Sequence, residues 1–132
     1  MADTAAHLVD RVFPHVPVRQ WVLSLPFALR YRLAYDSEMV TAVLEVFIRA
    51  LFGLYRRMAR DYGIEQTQCG AVTFVQRFGS AANLNLHFHV LAIDGVYAPG
   101  LDGRPEFFSL RPPETGEVRD LAELLAKRIP AC

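Results

Sequence analysis

Asn83-Leu-Asn-Leu-His-Phe-His-Val-Leu-Ala-Ile93 is the stretch on which the reading of this chain turns. Successive side chains of a β-strand point to opposite faces. Leu84, Leu86, Phe88, Val90 and Ala92 therefore make one apolar side, while Asn85, His87 and His89 line the other. The apolar side anchors the strand on a core, and the two imidazoles project together from an open sheet face. His-x-His on a strand spaces two rings roughly 7 Å apart at the backbone yet lets them converge on one ion, as a two-histidine metal site requires. Imidazole serves zinc, copper, iron, nickel and manganese, and with oxygen donors from a substrate it also holds harder cations. Histidines also alternate on strands as satisfied or surface side chains, so the motif by itself leaves both readings open.

Upstream, Cys69 to Phe78 has the composition of a partner strand, and Gly79-Ser-Ala-Ala-Asn83 that of a turn, giving a hairpin. If the turn centres between Ala81 and Ala82, Gln76 stands opposite His87 and shares its face, which would complete a two-histidine, one-amide site. Alternation within the strand argues the other way. Val72, Phe74 and Phe78 share the parity of Gln76 and resemble core, which would put Thr73 and Arg77 on the histidine side. A bulge would reconcile the two.

Further out, Gln20 to Leu25 is a brief apolar run stopped by Pro26 and reads as a buried strand. Asp36 and Ser37 offer a helix N-cap. Val40, Val43, Leu44, Phe47, Leu51, Leu54 and Met58 then recur at helical steps until Gly63 supplies a stop. The polar side of that helix carries Arg49, Arg56, Arg57 and Arg60, a row that faces either DNA or water. Ala5 to Phe13 is helical in pattern and is followed by Pro14 and Pro17. Beyond the histidine strand, Asp94-Gly95 ends the run, Val96 to Arg104 reads as loop, and Glu106 to Leu110 adds a short strand. Val118, Leu121, Leu124, Leu125 and Ile129 form the apolar stripe of a last helix that Pro130 ends. This order predicts an α+β fold, a mostly antiparallel sheet with helices packed on one face.

With 132 residues and 52% hydrophobic side chains, the chain suits one globular domain and is too apolar for intrinsic disorder. Fourteen basic residues balance fourteen acidic ones, so net charge gives no argument for nucleic-acid binding. The distribution is uneven. Nine arginines against five acids lie between Arg11 and Arg77, whereas seven acids face five bases from Asp94 onward. Any bound anion belongs with the middle of the chain, and arginine's planar fork suits phosphate. Two distant cysteines, Cys69 and Cys132, suggest neither a disulfide framework nor a zinc site and fit a reducing, cytoplasmic setting. The longest apolar stretch, Met39 to Met58, is broken by Glu45, Arg49, Arg56 and Arg57, so neither a membrane span nor a signal peptide is expected.

Three runs, Arg19 to Phe27, Cys69 to Ser80 and Leu84 to Tyr97, closely resemble the rolling-circle transposases of the insertion-sequence ninety-one family, and the likeness extends over nearly the whole chain. Those proteins are similar to HUH nucleases, named for histidine, hydrophobic residue, histidine, and His87-Phe88-His89 matches that motif position for position. The resemblance implies a ferredoxin/RRM-like HUH endonuclease core. It also implies DNA binding and DNA transposition, with single-stranded DNA at transposon ends as partner. A divalent metal, magnesium or manganese, would be held by His87 and His89 with Gln76 as third ligand. Arg77, Arg30 and Arg32 are the candidate phosphate contacts. In the family a tyrosine attacks the scissile phosphodiester, becomes linked to the 5′ phosphate and frees a 3′ hydroxyl. The family's Tyr-x-x-x-Tyr pair lies on a helix well downstream of the histidine strand. After His89 this chain has only Tyr97. Tyr31 and Tyr35 have the four-residue spacing but precede the long helix, in a segment that matches a non-catalytic part of the family, and read as packing residues. The expectation is a truncated transposase: residues 1–18 a lead-in, 19–132 a partial HUH domain without its tyrosine nucleophile or the family's cysteine-rich zinc module. The alternative is a catalytically inert, ferredoxin-like module that binds single-stranded nucleic acid.

Overall fold

A computed structural model describes residues 15–78 and 85–129. The Ala5–Phe13 helical segment, the hairpin turn, Pro130 and Cys132 lie outside them, as do the side chains of Arg77, Phe78 and Asn85. The chain runs β1 (Val18–Ser24), α1 (Phe27–Ala34), α2 (Ser37–Asp61), β2 (Ala71–Phe78), β3 (Asn85–Ile93), β4 (Gly95–Pro99), β5 (Pro105–Ser109) and α3 (Thr115–Arg128). The fold is α+β with antiparallel pairing throughout, as the periodicities predict.

The long helix follows the sequence closely. Asp36 accepts a hydrogen bond from the Met39 N–H at 3.1 Å, a cap that contributes about 1 kcal/mol. After Asp61 the chain leaves the helix through Gly63, whose φ of +75° is the left-handed conformation that favours glycine. Its apolar stripe, from Met39 through Val43, Phe47, Leu51 and Leu54 to Met58, is buried and packs with Leu121, Leu125 and Ile129 of α3. Val118 is the exception to the predicted α3 stripe. It is exposed, one turn before the helix reaches the core.

The five strands form two sheets rather than one. The larger has the order β1-β3-β2, so the histidine strand is central and hydrogen-bonded on both sides. The smaller is a β4–β5 hairpin. The Val96–Arg104 segment is therefore not wholly loop. Gly, Pro and Asp around it mask a strand in which Tyr97 pairs with Phe107, their rings 5.5 Å apart. Gly95 is needed there: a Cβ would run into the Phe108 carbonyl oxygen and the Phe107 ring. Only residues 100–104 turn, with Gly103 at φ +80°. Helix α1, between Pro26 and Asp36, was not foreseen. It is short and buries only Leu33 in full.

The helices cover one face of the three-stranded sheet. Leu86, Phe88, Val90 and Ala92 of β3 are all at most 2% exposed and point into that core.

Candidate metal and nucleic-acid site

The other face of β3 carries His87 and His89, both half-buried, with Leu91. Register decides what stands beside them. In β1, Ser24 pairs with His87, Val22 with His89 and Gln20 with Leu91. In β2, Gln76 pairs with His87, Phe74 with His89 and Val72 with Leu91. Directly opposed residues in an antiparallel pair share a face. The histidines are thus flanked by Ser24, Val22 and Gln20 on one side and by Gln76, Phe74 and Val72 on the other.

This corrects the alternation argument for β2. Its pairing with β3 runs in step from Ala71–Ala92 to Phe78–Asn85, with no bulge. Thr73 faces Val90 and Arg77 faces Leu86 in register, so both stand at core-parity positions rather than with the histidines. The reason is that Val72 and Phe74 belong to the open face despite being apolar. Half-exposed apolar residues on an open sheet look, in sequence, the same as core.

The two imidazoles are held at a ring-centroid distance of 6.3 Å, edge to face. Each is oriented by a hydrogen bond from β1. The Gln20 amide lies 2.7 Å from His89 Nδ1, and the Ser24 hydroxyl lies 2.9 Å from His87 Nδ1. These bonds use Nδ1 of each ring, so Nε2 is the ring nitrogen that they leave available. Among the described residues no set of three His, Cys, Asp and Glu side chains is placed to hold a metal. The third donor that the register offers is the Gln76 amide opposite His87. Two imidazole nitrogens and one amide oxygen form a donor set compatible with manganese, or with magnesium once substrate oxygens are added.

The sequence did not single out Gln20 or Ser24. Their role depends on pairing with a strand 69 and 63 residues away, and only their parity with Val22 hinted at a shared face. The candidate phosphate contacts are distributed unevenly. Arg30 donates from Nε to the Leu25 carbonyl at 2.5 Å, which ties its guanidinium to the backbone one residue past Ser24. Arg32 is exposed in the last turn of α1. Tyr31 and Tyr35 are not packing residues: they are 53% and 77% exposed, with rings 5.8 Å apart. In the arginine row of α2, Arg56 and Arg60 line an open cavity of about 280 Å3 together with Glu65 and Thr67.

At the far end of β3 lies a second polar assembly. Arg19 donates from Nε and Nη2 to the two carboxylate oxygens of Asp94, at 3.0 and 2.9 Å. Tyr55 donates to Asp94 at 3.2 Å, and Trp21 Nε1 donates to the Tyr55 hydroxyl at 3.2 Å. The Asp94 backbone binds Pro17 and Leu110 as well. Burial pushes the Tyr55 phenol up to about 12. Its hydroxyl is a structural partner with both a donor and an acceptor engaged.

Residues 70–128 match the model of a family described as "Putative transposase". That match supports a transposase family for the stretch from β2 to α3. It contains both histidines and Gln76, and it begins downstream of β1. No curated protein matches the chain, and neither does any solved structure. No helix among the described residues is long and apolar enough to cross a membrane.

Proposed function

We propose that the histidine face of the three-stranded sheet binds single-stranded DNA around a divalent cation, magnesium or manganese, held by His87, His89 and Gln76. The chain is then a transposase of the HUH rolling-circle type, as in the insertion-sequence ninety-one family. The carrying observation is the pairing of Gln76 with His87 on a central strand whose two imidazoles are both bound through Nδ1.

When bound, the cation would polarise a scissile phosphate and orient it for in-line displacement. The chain's own residues hold the cation and the DNA strand, whereas no tyrosine among the described residues is assigned as the attacking group. His87 and His89 offer Nε2 lone pairs, and Gln76 offers its carbonyl oxygen. Phe74, with Val22 and Leu91 beside it, presents a half-exposed apolar surface on which bases can stack. Arg30 and Arg32 are proposed to neutralise backbone phosphates, whereas the register of Arg77 opposite Leu86 takes it off the histidine face. Tyr55 is no nucleophile, because burial, and after it the neighbouring Asp94 carboxylate, keeps its hydroxyl un-ionised, and that hydroxyl is already engaged by Trp21 and Asp94.

A titration of manganese into wild type and a His87→Ala, His89→Ala double variant, followed by thermal unfolding, tests the reading. A ligand at 100-fold its Kd stabilises the native state by about 2.7 kcal/mol. Wild type is expected to gain it and the variant to gain none. Equal shifts in the two proteins reject the cation site. The same apolar surface also favours a second reading, a stacking platform that needs no metal. Single-stranded DNA binding that survives EDTA at full strength would select that module instead.

A further inference from the structure

We propose that Gln20 is a positioning residue that biases which nitrogen of His89 carries the proton, while Ser24 orients the His87 ring in either protonation form. Gln20 further acts as a turnable amide that serves both the loaded and unloaded states. The part of this inference concerning metal loading rests on the cation reading above, whereas the part concerning the proton does not.

A neutral imidazole has one N–H and one acceptor nitrogen, and the partner of one nitrogen fixes the role of the other. As placed, Gln20 presents Nε2 to His89 Nδ1 at 2.7 Å. With the amide in that orientation Nδ1 accepts and the ring proton sits on Nε2, whereas the turned amide would present Oε1 and call for the proton on Nδ1. With its proton in place, Nε2 has no lone pair to offer a cation. A cation on Nε2 needs the other form, with Nδ1 protonated and donating. The change moves one proton from Nε2 to Nδ1 through solvent, leaves the ring neutral and releases none. Gln20 accommodates it by turning its amide over, so that Oε1 accepts from Nδ1–H. The Ser24 hydroxyl, 2.9 Å from His87 Nδ1, does the same by rotating its proton, because a hydroxyl both donates and accepts. Both partners come from β1, which lies outside the family match, and neither is a ligand itself. Groups that bond the outer nitrogen of a metal-bound histidine typically change affinity by 10- to 100-fold when removed.

The experiment uses the full chain. Nitrogen-15 NMR of the metal-free protein at a pH where both rings are neutral reads the proton position directly. Wild type should show His89 with its proton on Nε2. Gln20→Leu should give a mixture at His89 while leaving His87 unchanged, and Ser24→Ala should leave the His89 proton where wild type has it. Gln20→Glu, whose carboxylate only accepts, should move the His89 proton to Nδ1. Manganese affinity by calorimetry should fall about 10- to 100-fold in Gln20→Leu and rise in Gln20→Glu. A structural role for Gln20 would not reverse sign between these variants. Unchanged His89 proton positions in both Gln20→Leu and Gln20→Glu overturn the inference, whether or not wild type binds manganese. Altered proton positions in a wild type that takes up no manganese uphold the positioning role and reject the cation reading instead.

Discussion

The two faces of β3 are built from one run of nine residues and behave as different materials. Leu86, Phe88, Val90 and Ala92 are sealed against α2 and α3, whereas His87, His89 and Leu91 stay half-open among Ser24, Gln20, Gln76 and Phe74. The covered face fixes where the strand lies. The open face uses that fixed backbone to hold side chains that contribute little to stability and can therefore be chosen for chemistry. A period of two lets one strand do both without compromise.

The sharpest break of this comparison is Phe88→Ala. It should cost about 3–5 kcal/mol by chemical denaturation, because a fully buried ring leaves a cavity that the packed helices cannot close. His87→Ala, one residue away, should change stability by no more than about 0.5 kcal/mol in the absence of metal. On the proposed cation reading, manganese at 100-fold its Kd should add about 2.7 kcal/mol to wild type and to Phe88→Leu but nothing to the histidine variants.

A third test concerns the end of the strand. Asp94→Ala should cost about 1–3 kcal/mol, since it strips the Tyr55 hydroxyl and the Arg19 guanidinium of their shared acceptor. Asp94→Asn, which keeps one acceptor oxygen, should cost less. The smallest expected effect lies on α3. The Arg111 guanidinium, together with the Glu114 N–H, holds the Glu117 carboxyl down at about 2. A carboxyl lowered in the folded state stabilises fully above its ordinary range, and the gain is lost as pH falls from about 4.5 toward 2. Wild type should therefore lose stability over that window, and Glu117→Gln should show a flatter curve. Because the pair is near the surface, the difference should stay under about 1 kcal/mol.

The parts legible in sequence were those set by local pattern. Asp36, the apolar stripe and Gly63 marked α2 within a residue or two. The turn arithmetic placed Gln76 opposite His87. What escaped had competing local signals. Val72 and Phe74 have the composition of core, and only the helices' occupation of the other face shows that they are not. Gly95 and Pro99 concealed β4, whose pairing depends on a close backbone approach rather than on propensity. Gln20, Ser24 and the Arg19–Asp94–Tyr55–Trp21 assembly escaped for a different reason: each joins residues many tens of positions apart, and no window along the chain contains both partners.

The placement of β1 has a consequence for biogenesis. It is synthesised first of the three strands and cannot dock until its neighbour, some 63 to 69 residues later, has left the ribosome. A β2–β3 hairpin can form alone, yet its imidazoles would swing without their orienting partners. The two imidazoles therefore gain their fixed Nδ1 partners only after β3 has emerged, although β1 was made long before.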